Sequence, residues 1–243
     1  MGRPGATDMK PVAIFRFSPG DEPGRFAEWL DANAHPWKLI ALHEGAPVPD
    51  DASALAGIGM MGGPMSVNDS LPWVAPMEAL LRDAVDRGVP VIGHCLGGQL
   101  LAKSLGATVG VAKTTEIGWI DVEATDAAVA DEWFGGHARF TTFEWHYEAF
   151  TMPPGATRVL TNAFNDNQGY VIDGRHVGFQ GHVEMTAEIA RSWTTLSADE
   201  LPERPTASTQ TKSEILRNLE IRVRALNAVA DAVYSRWARN LSV

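Results

Sequence analysis

Short apolar runs alternate with segments of helical periodicity through the first part of this chain, and this order limits the fold more than any other feature. The runs predict strands at residues 12–17, 37–42, 56–61 and 89–92, with helices around residues 26–34, 74–86 and 100–105. Alternating strands and helices imply a parallel sheet that is covered by helices on both faces. Ligands of such sheets bind beyond the carboxyl ends of the strands. We therefore predict an α/β fold with a mostly parallel sheet.

The pattern changes after residue 116. Short strand-like pieces at residues 119–123, 157–160, 170–172 and 176–180 are separated by Gly, Pro and Asn turns, which predicts added antiparallel strands and hairpins. After Glu184 we expect a short helix, a polar loop and one long helix that begins with a capping box of Thr211 and Glu214. Apolar residues recur every three or four positions in this helix: Leu216, Leu219, Val223, Leu226, Ala230, Val233 and Trp237. This stripe is expected to pack on its own domain, and a homodimer interface is the alternative.

Length and composition fit a single folded domain. A chain of 243 residues with 45% hydrophobic and 21% charged residues can bury a sizeable core and is not a disordered chain. We expect a flexible N-terminus at residues 1–11, a main body at residues 12–196, and a loop and helix at residues 197–243 packed on that body. The net charge of -10 argues against nucleic acid or an anionic membrane as the main partner, because both require a basic surface. A single cysteine, without a signal peptide or an apolar span, predicts a cytoplasmic protein that binds a small molecule or another protein.

Cys95 is the only cysteine, and it lies between a β-branched apolar run and the next helix. Gly93 and Gly97 flank it, and small residues at this spacing permit the sharp strand-to-helix turn that presents a nucleophile above a sheet. The first amides of the following helix would point at the sulfur and favour the thiolate. The alternative is a small buried apolar side chain, which most free cysteines are. Cys95 alone does not decide between these two interpretations.

A candidate base lies late in the chain. Among the seven histidines, His182 stands out because Glu184 follows two residues later. In an extended stretch both side chains would leave the same face. The carboxylate would then fix the imidazole tautomer and leave the other ring nitrogen free to accept a proton from Cys95. The same spacing also occurs by chance as a surface pair.

A candidate oxyanion site follows another predicted strand, where residues 62–64 read GGP. Glycine allows backbone amides to turn inward, and together with the amide of Leu96 they would hold a developing oxyanion. The alternative is a plain turn. The coincidence of this turn with Cys95 and His182 in one α/β order favours a catalytic site.

These motifs together resemble class I glutamine amidotransferases, the Cys-His-Glu glutaminases, and among them the stand-alone proteins similar to the glutaminase domain of GMP synthase. The resemblance extends over most of the chain from Val12. It rests on GHCLGGQ at residues 93–99, HVE at 182–184, GGPMSVND at 62–69, EIGW at 116–119 and WH at 145–146. It implies a single flavodoxin-like domain with added antiparallel strands and a long C-terminal helix.

The resemblance also implies a mechanism. Cys95 attacks the side-chain amide of glutamine, His182 protonates the leaving ammonia, and Glu184 orients His182. A γ-glutamyl thioester forms, and water then releases glutamate. The backbone amides of Gly63 and Leu96 bind the oxyanion of both tetrahedral intermediates. Contacts to the amino-acid end of the substrate are expected from Gln99 and from the segment at His146 and Tyr147.

Two departures from the family pattern concern the substrate pocket. Where relatives often read FQFHPE, residues 179–184 read FQGHVE, so that Gly181 replaces an aromatic residue beside the base. Where the nearest relatives often read WHGDTF, residues 145–150 read WHYEAF, with Tyr147 in place of glycine. A γ-glutamyl amine is therefore an alternative substrate to glutamine.

The motifs of this chain do not indicate a synthetase domain that would use the released ammonia. No P-loop or similar nucleotide motif occurs, so that ammonia passes to a separate synthetase subunit or is simply released. The leading hypothesis is a hydrolase of glutamine or of a γ-glutamyl amine. The alternative is a noncatalytic or partner-activated glutaminase subunit that keeps the fold. His182 and Glu184 are too few ligands for a metal, and we expect neither a metal nor a cofactor.

Overall fold

A computed structural model describes residues 9–241 and contains a nine-stranded sheet with helices on both faces. The strands are β1 (Val12–Arg16), β2 (Trp37–Ala41), β3 (Gly57–Met60), β4 (Val91–His94), β5 (Val109–Ala124), β6 (Arg139–Phe150), β7 (Thr157–Thr161), β8 (Gly169–Ile172) and β9 (His176–Phe179). The helices are α1 (Gly24–Ala32), α2 (Val74–Asp86), α3 (Leu96–Ser104), α4 (Ala127–Trp133), α5 (Ala187–Leu196), α6 (Lys212–Leu216) and α7 (Leu219–Ala238). The expected flexible N-terminus falls largely on residues 1–8, which, like residues 242–243, lie outside the described residues.

The strand order is β2-β1-β3-β4-β9-β8-β7-β5-β6. The strands from β2 to β9 in this order pair in parallel, and the remaining strands pair antiparallel. The α/β class, the flavodoxin-like order of the parallel half and the added antiparallel strands are confirmed. The chain crosses from one side of β1 to the other between β2 and β3, and ligands of open α/β sheets bind at such a reversal.

The two faces of the sheet carry separate cores. Along β1, Val12 and Ile14 point to one face, where α1 and α7 pack, and Ala13 and Phe15 point to the other, where α2 and α3 pack. This alternation is the consequence of the two-residue period of a strand that is covered on both sides. Within residues 9–241, no helix is long and apolar enough to cross a membrane.

The predicted elements of the parallel half agree closely with the structure. The helix predicted at residues 74–86 coincides with α2 (Val74–Asp86). The strand predicted at residues 89–92 begins two residues later, at Val91, because Gly88 has a left-handed φ of 68° and ends the preceding turn. Residues 89–90 complete this connection.

The β5–β6 hairpin was largely missed. The sequence predicted a strand only at residues 119–123, whereas β5 has 16 residues and β6 has 12, and α4 was not predicted either. Charged residues interrupt the apolar pattern of both strands, yet Glu116 and Glu144 are fully buried. A register shift between Val111 and Glu116 further disturbs the alternation.

The predicted long C-terminal helix is present as α7, but its predicted start is wrong, because the capping box begins a separate short helix, α6. The capping box of Thr211 and Glu214 is present at the start of α6. Arg217 is then extended, and Asn218 takes a left-handed conformation with φ 55° and ψ 29° before α7 begins. The carbonyl of Ile215, freed by this break, accepts a hydrogen bond from Trp119 Nε1 at 3.0 Å. The apolar stripe of α7 lies in the same core as β1 and α1.

Candidate active site

Four parallel strands deliver loops to one edge of the sheet, and these loops surround a cavity of about 700 Å³. The loops follow β1 (residues 18–21), β3 (residues 62–66), β4 (Cys95) and β9 (His182). The carboxyl ends of parallel strands point in the same direction, which is why segments far apart in sequence meet here. Six residues singled out in the sequence line this cavity: Gly63, Cys95, Gln99, His146, Tyr147 and His182. Leu96 directly follows Cys95, and Glu184 lies next to His182.

Cys95 occupies a strained corner between β4 and α3. Its φ of 47° and ψ of -108° lie outside the favourable regions for a residue with a side chain. The corner is tight, because a β-carbon on Gly97 would lie 2.5 Å from the β-carbon of Met60. α3 begins at Leu96, so that the first amides of the helix, including the unpaired one of Leu96, lie beside the cysteine. This is the geometry of an elbow that presents a nucleophile.

His182 and Glu184 form a buried pair. Nδ1 of His182 lies 2.7 Å from Oε1 of Glu184, and the exposed fractions of the two residues are 2% and 3%. The segment is a turn rather than the extended stretch considered from the sequence, and the backbone N–H of His182 donates to the carbonyl of Phe143 at 2.8 Å. Burial lowers the pKa of His182, but the negative charges and hydrogen bonds of Glu184 and Cys95 raise it well above its usual range. The imidazolium that forms when His182 takes a proton is therefore stabilised at this position by Glu184.

Glu184 also lies close to a second histidine and to the start of α1. Its Oε2 lies 3.8 Å from Nε2 of His94, a residue without any exposed surface, and its backbone carbonyl accepts from the N–H of Arg25 at 2.8 Å. Burial raises the pKa of Glu184. The imidazoles of His94 and His182 lower it by more than burial raises it, so that the pKa of Glu184 lies below its usual range. The sequence analysis did not identify His94. Its position directly before Cys95 on β4, where side chains alternate between faces, was the available signal.

The glycine turn after β3 contacts both the base and the elbow. A β-carbon on Gly62 would lie 2.7 Å from Cε1 of His182, and one on Gly63 would lie 2.7 Å from Cδ2 of Leu96. Within residues 9–241, the backbone N–H groups of Gly63 and Leu96 have no hydrogen-bond acceptor. Two unpaired amides close to a cysteine are suited to bind an oxyanion.

Two glutamine side chains connect the thiol to the far side of the cavity. Nε2 of Gln180 lies 3.8 Å from Sγ of Cys95 and points at it as a donor. Oε1 of Gln180 accepts from Nε2 of Gln99 at 3.4 Å, and the same Nε2 also donates to the backbone carbonyl of Glu148 at 3.0 Å. Gln180 is fully buried, and the sequence analysis missed its role beside the sulfur. The only signal was its place between β9 and His182.

His146 points away from the cavity centre into a buried polar cluster. Its ring nitrogens lie 3.0 Å from the carbonyl oxygen of Glu148 and 3.1 Å from Oε2 of Glu116. Side-chain amides on the same loop region donate to Glu116 as well, namely those of Asn162, Asn165 and Gln168. Burial raises the pKa of Glu116, but His146 and the hydrogen bonds from Asn165 and Asn162 lower it below its usual range. The side chain of His146 thus braces the hairpin, and only its backbone is free to meet a substrate.

Tyr147 lies at the mouth of the cavity and is 47% exposed. Its hydroxyl donates to Oε2 of Glu200 at 2.9 Å, and Nε1 of Trp145 donates to the same oxygen at 2.8 Å. Burial and the hydrogen bond to Glu200 raise the pKa of Tyr147 to about 12. The hydroxyl therefore stays protonated and connects β6 to the segment after α5. Within the described part of the chain, no group of three or more His, Cys, Asp or Glu side chains is arranged to hold a metal ion.

Comparisons with known proteins find relatives in both sequence and structure. The sequence profile described as "Glutamine amidotransferase class-I" matches residues 33–193. The chain is 32% identical over 181 residues to a glutamine-hydrolysing GMP synthase of Aeropyrum pernix, and the match covers 72% of this chain and 32% of that protein. It is 27% identical over 185 residues to the glutamine amidotransferase-like protein YfeJ of Salmonella typhimurium, with coverage of 73% and 77%. The matched region is thus about a third of the GMP synthase and about three quarters of YfeJ.

A crystal structure of a glutamine amido transferase from Methylobacillus flagellatus has nearly the same fold. The two structures superpose with a TM-score of 0.93 at 42% sequence identity, over 97% of this chain and 96% of the other. The similarity therefore includes the antiparallel half of the sheet and the C-terminal helices, and is not restricted to the parallel core.

Proposed function

Because the chain belongs to the class I glutamine amidotransferase family, we propose that it hydrolyses the γ-amide of glutamine or of a γ-glutamyl amine through a thioester on Cys95. The observation that carries this proposal is the joint placement of Cys95, His182 and Glu184 at one cavity. Cys95 is strained at the elbow, and a carboxylate orients the imidazole of His182, which lines the same cavity. A noncatalytic chain has no need of all three features.

The proposed reaction begins with a proton transfer. His182 takes the proton of the Cys95 thiol, and the sulfur attacks the γ-carbonyl carbon, so that the carbonyl oxygen becomes an oxyanion. The amides of Gly63 and Leu96 bind this oxygen. His182 returns the proton to the leaving nitrogen, the C–N bond breaks, and ammonia or an amine departs. Water activated by His182 then attacks the thioester, and glutamate leaves with regeneration of the thiol.

The glutamate half of the substrate is assigned to the side of the cavity opposite His182. Gln99, the backbone at His146 and the aromatic ring of Tyr147 line this side, and Glu148 adds a carboxylate. The carboxylate of Glu148 accepts from Oγ of Ser66 at 2.8 Å and so bridges two of the loops. A negative charge here suits the α-ammonium group that every γ-glutamyl amide carries.

A direct test is to incubate the purified protein with glutamine and a panel of γ-glutamyl amines and to measure the glutamate that is released. We expect release that falls by about a hundredfold or more in Cys95→Ala, because covalent catalysis is then lost. Thermal unfolding of both proteins controls for folding. If no compound releases glutamate in a manner that depends on Cys95, the proposal of a free-standing hydrolase is wrong.

A second candidate is a glutaminase subunit that a separate synthetase activates. It is favoured by one observation: the glutamine-hydrolysing GMP synthase relative contains the matched region as only about a third of its length. Alkylation of Cys95, the only cysteine, separates the candidates if free-standing hydrolysis fails. Protection of Cys95 by glutamine against iodoacetamide would favour the partner-activated subunit, and a lack of protection would favour a noncatalytic role.

A further inference from the structure

The cavity beside Cys95 is larger than the proposed reaction on glutamine requires. Its volume of about 700 Å³ lies within the range of pockets that bind drug-sized ligands, whereas glutamine gives up only ammonia. Building on the proposed hydrolysis at Cys95, we infer that the preferred substrate is a γ-glutamyl amide of a primary amine that has an aromatic or other apolar body and no negative charge. The amine lies between residues 18–21 and the C-terminal end of α5.

His182 determines which side of the cavity receives the amine, because it must protonate the departing nitrogen. The indole ring of Trp193 stands against the imidazole ring of His182, with centroids 4.7 Å apart and an angle of 86° between the planes. Leu196 follows on the same helix, lines the same cavity and is 70% exposed. An amine that leaves past His182 therefore meets an indole and then a leucine.

A second indole ring packs edge to face against the first. The ring of Trp145 is perpendicular to that of Trp193, with centroids 6.1 Å apart. Both indole N–H groups are already used within the protein, that of Trp193 by the carbonyl of Gly20 at 2.8 Å and that of Trp145 by Glu200 at 2.8 Å. The rings consequently offer a ligand their apolar surfaces, to which an aromatic body binds well.

The charges that line the cavity exclude an acidic amine. Glu200 and Asp21 line the amine side, where burial raises the pKa of Asp21, and no lysine or arginine lines the cavity among residues 9–241. A carboxylate on the amine would face these groups without a cationic partner, which is unfavourable in a partly desolvated pocket. A second ammonium group, in contrast, is compatible with the carboxylates and with the indole faces.

Three γ-glutamyl amides that share one ring test this inference together with glutamine. They are the amides of benzylamine, of 4-(aminomethyl)benzylamine and of 4-(aminomethyl)benzoic acid, which end in a neutral, a positive and a negative group. We expect kcat/KM for the neutral and positive amides to exceed that for glutamine, and that for the acidic amide, by at least about tenfold. Equal or faster hydrolysis of glutamine or of the acidic amide would overturn the inference.

A charge placed on Leu196 provides a matched test in the protein. Leu196→Lys is expected to improve kcat/KM for the acidic amide by about tenfold and to weaken that for the positive amide. Ile221→Lys is the control, because Ile221 is also exposed, at 61%, but lies on α7 away from the cavity. Parallel changes in both variants would mean that the charge acts through the whole protein and not at the proposed amine site.

Binding to Cys95→Ala distinguishes this inference from the proposed function. If calorimetry shows that the neutral amide binds this variant more tightly than glutamine does, but the wild type releases no glutamate, the amine site is supported and the hydrolysis is wrong. If the wild type hydrolyses glutamine well and the amides neither bind nor react, the hydrolysis is supported and the amine site is wrong.

Discussion

The carboxyl group of Glu144 occupies the space in front of Gly181 that a side chain at that position would need. Glu144 is fully buried, and within the described residues neither of its oxygens has a hydrogen-bond partner. The hydroxyl of Thr142, which also faces Gly181, has none either. Gly181 directly precedes His182, so that the carboxyl group of Glu144 lies beside the proposed base.

The buried Glu144 makes stability depend on pH. Burial, together with the nearby Glu116, raises the folded-state pKa of this carboxyl group well above its usual range. The folded state therefore binds a proton more tightly than the unfolded state. Its contribution to stability is complete below the unfolded pKa and is lost as the pH rises through the folded pKa.

We expect Glu144→Gln to remove this dependence, because the amide has nearly the same shape and does not titrate. Urea unfolding at about pH 5, 7 and 9 should show that the variant gains stability relative to the wild type as the pH rises. Asp50→Asn, at an exposed site, is the control. Equal pH slopes for the wild type and Glu144→Gln would contradict the prediction.

Gly62 is predicted to be necessary for the position of His182. In Gly62→Ala the new β-carbon would lie 2.7 Å from Cε1 of His182, so that the imidazole must move. A displacement of this kind is expected to lower kcat by about a hundredfold. Gly110→Ala is the matched control, since a β-carbon there has nothing within 4 Å. An unchanged kcat in Gly62→Ala would show that the turn does not position the base.

Glu184 is predicted to sustain the reactivity of the thiol. Removal of its charge in Glu184→Gln lowers the pKa of His182, because that charge raises the pKa in the wild type. Less imidazolium is then present near neutral pH, and iodoacetamide should alkylate Cys95 about tenfold more slowly. Because Cys95 is the only cysteine, total alkylation measures this site alone. Identical alkylation rates of the wild type and Glu184→Gln across the pH range would argue against an ion pair between His182 and Cys95. Glu188→Gln, on α5, serves as the control.

The C-terminal segment is predicted to unfold together with the main body. Trp237 is completely buried, and its ring lies 5.5 Å from that of Phe26 on α1. Trp237→Ala should therefore lower the free energy of unfolding by about 3–5 kcal/mol. Ile221→Ala, at a position that is 61% exposed, should change it by less than about 0.5 kcal/mol. Two separate transitions in chemical unfolding would mean that residues 197–243 form a unit of their own.

Much of this protein could be predicted from the sequence because the relevant signals are local. The strand and helix periods around Val12 and α2 are set by neighbouring side chains, and the elbow at Cys95 depends on glycines two positions away. The pair of His182 and Glu184 is also local. Sequence reasoning could therefore identify the α/β order and the residues of the proposed catalytic centre.

Only the tertiary structure decided how distant groups share buried space. The β5–β6 hairpin was missed because Glu116 and Glu144 are charged residues in buried positions, and such residues are tolerated only where distant amides, imidazoles or a raised pKa compensate for burial. The break at Asn218, the contact of His94 with Glu184 and the paired indoles near His182 likewise depend on residues far away in the chain. The sequence by itself determined the turn at Cys95 and the helix that follows it. Packing decided the walls of the cavity, because a period encodes which face is buried but not what it is buried against.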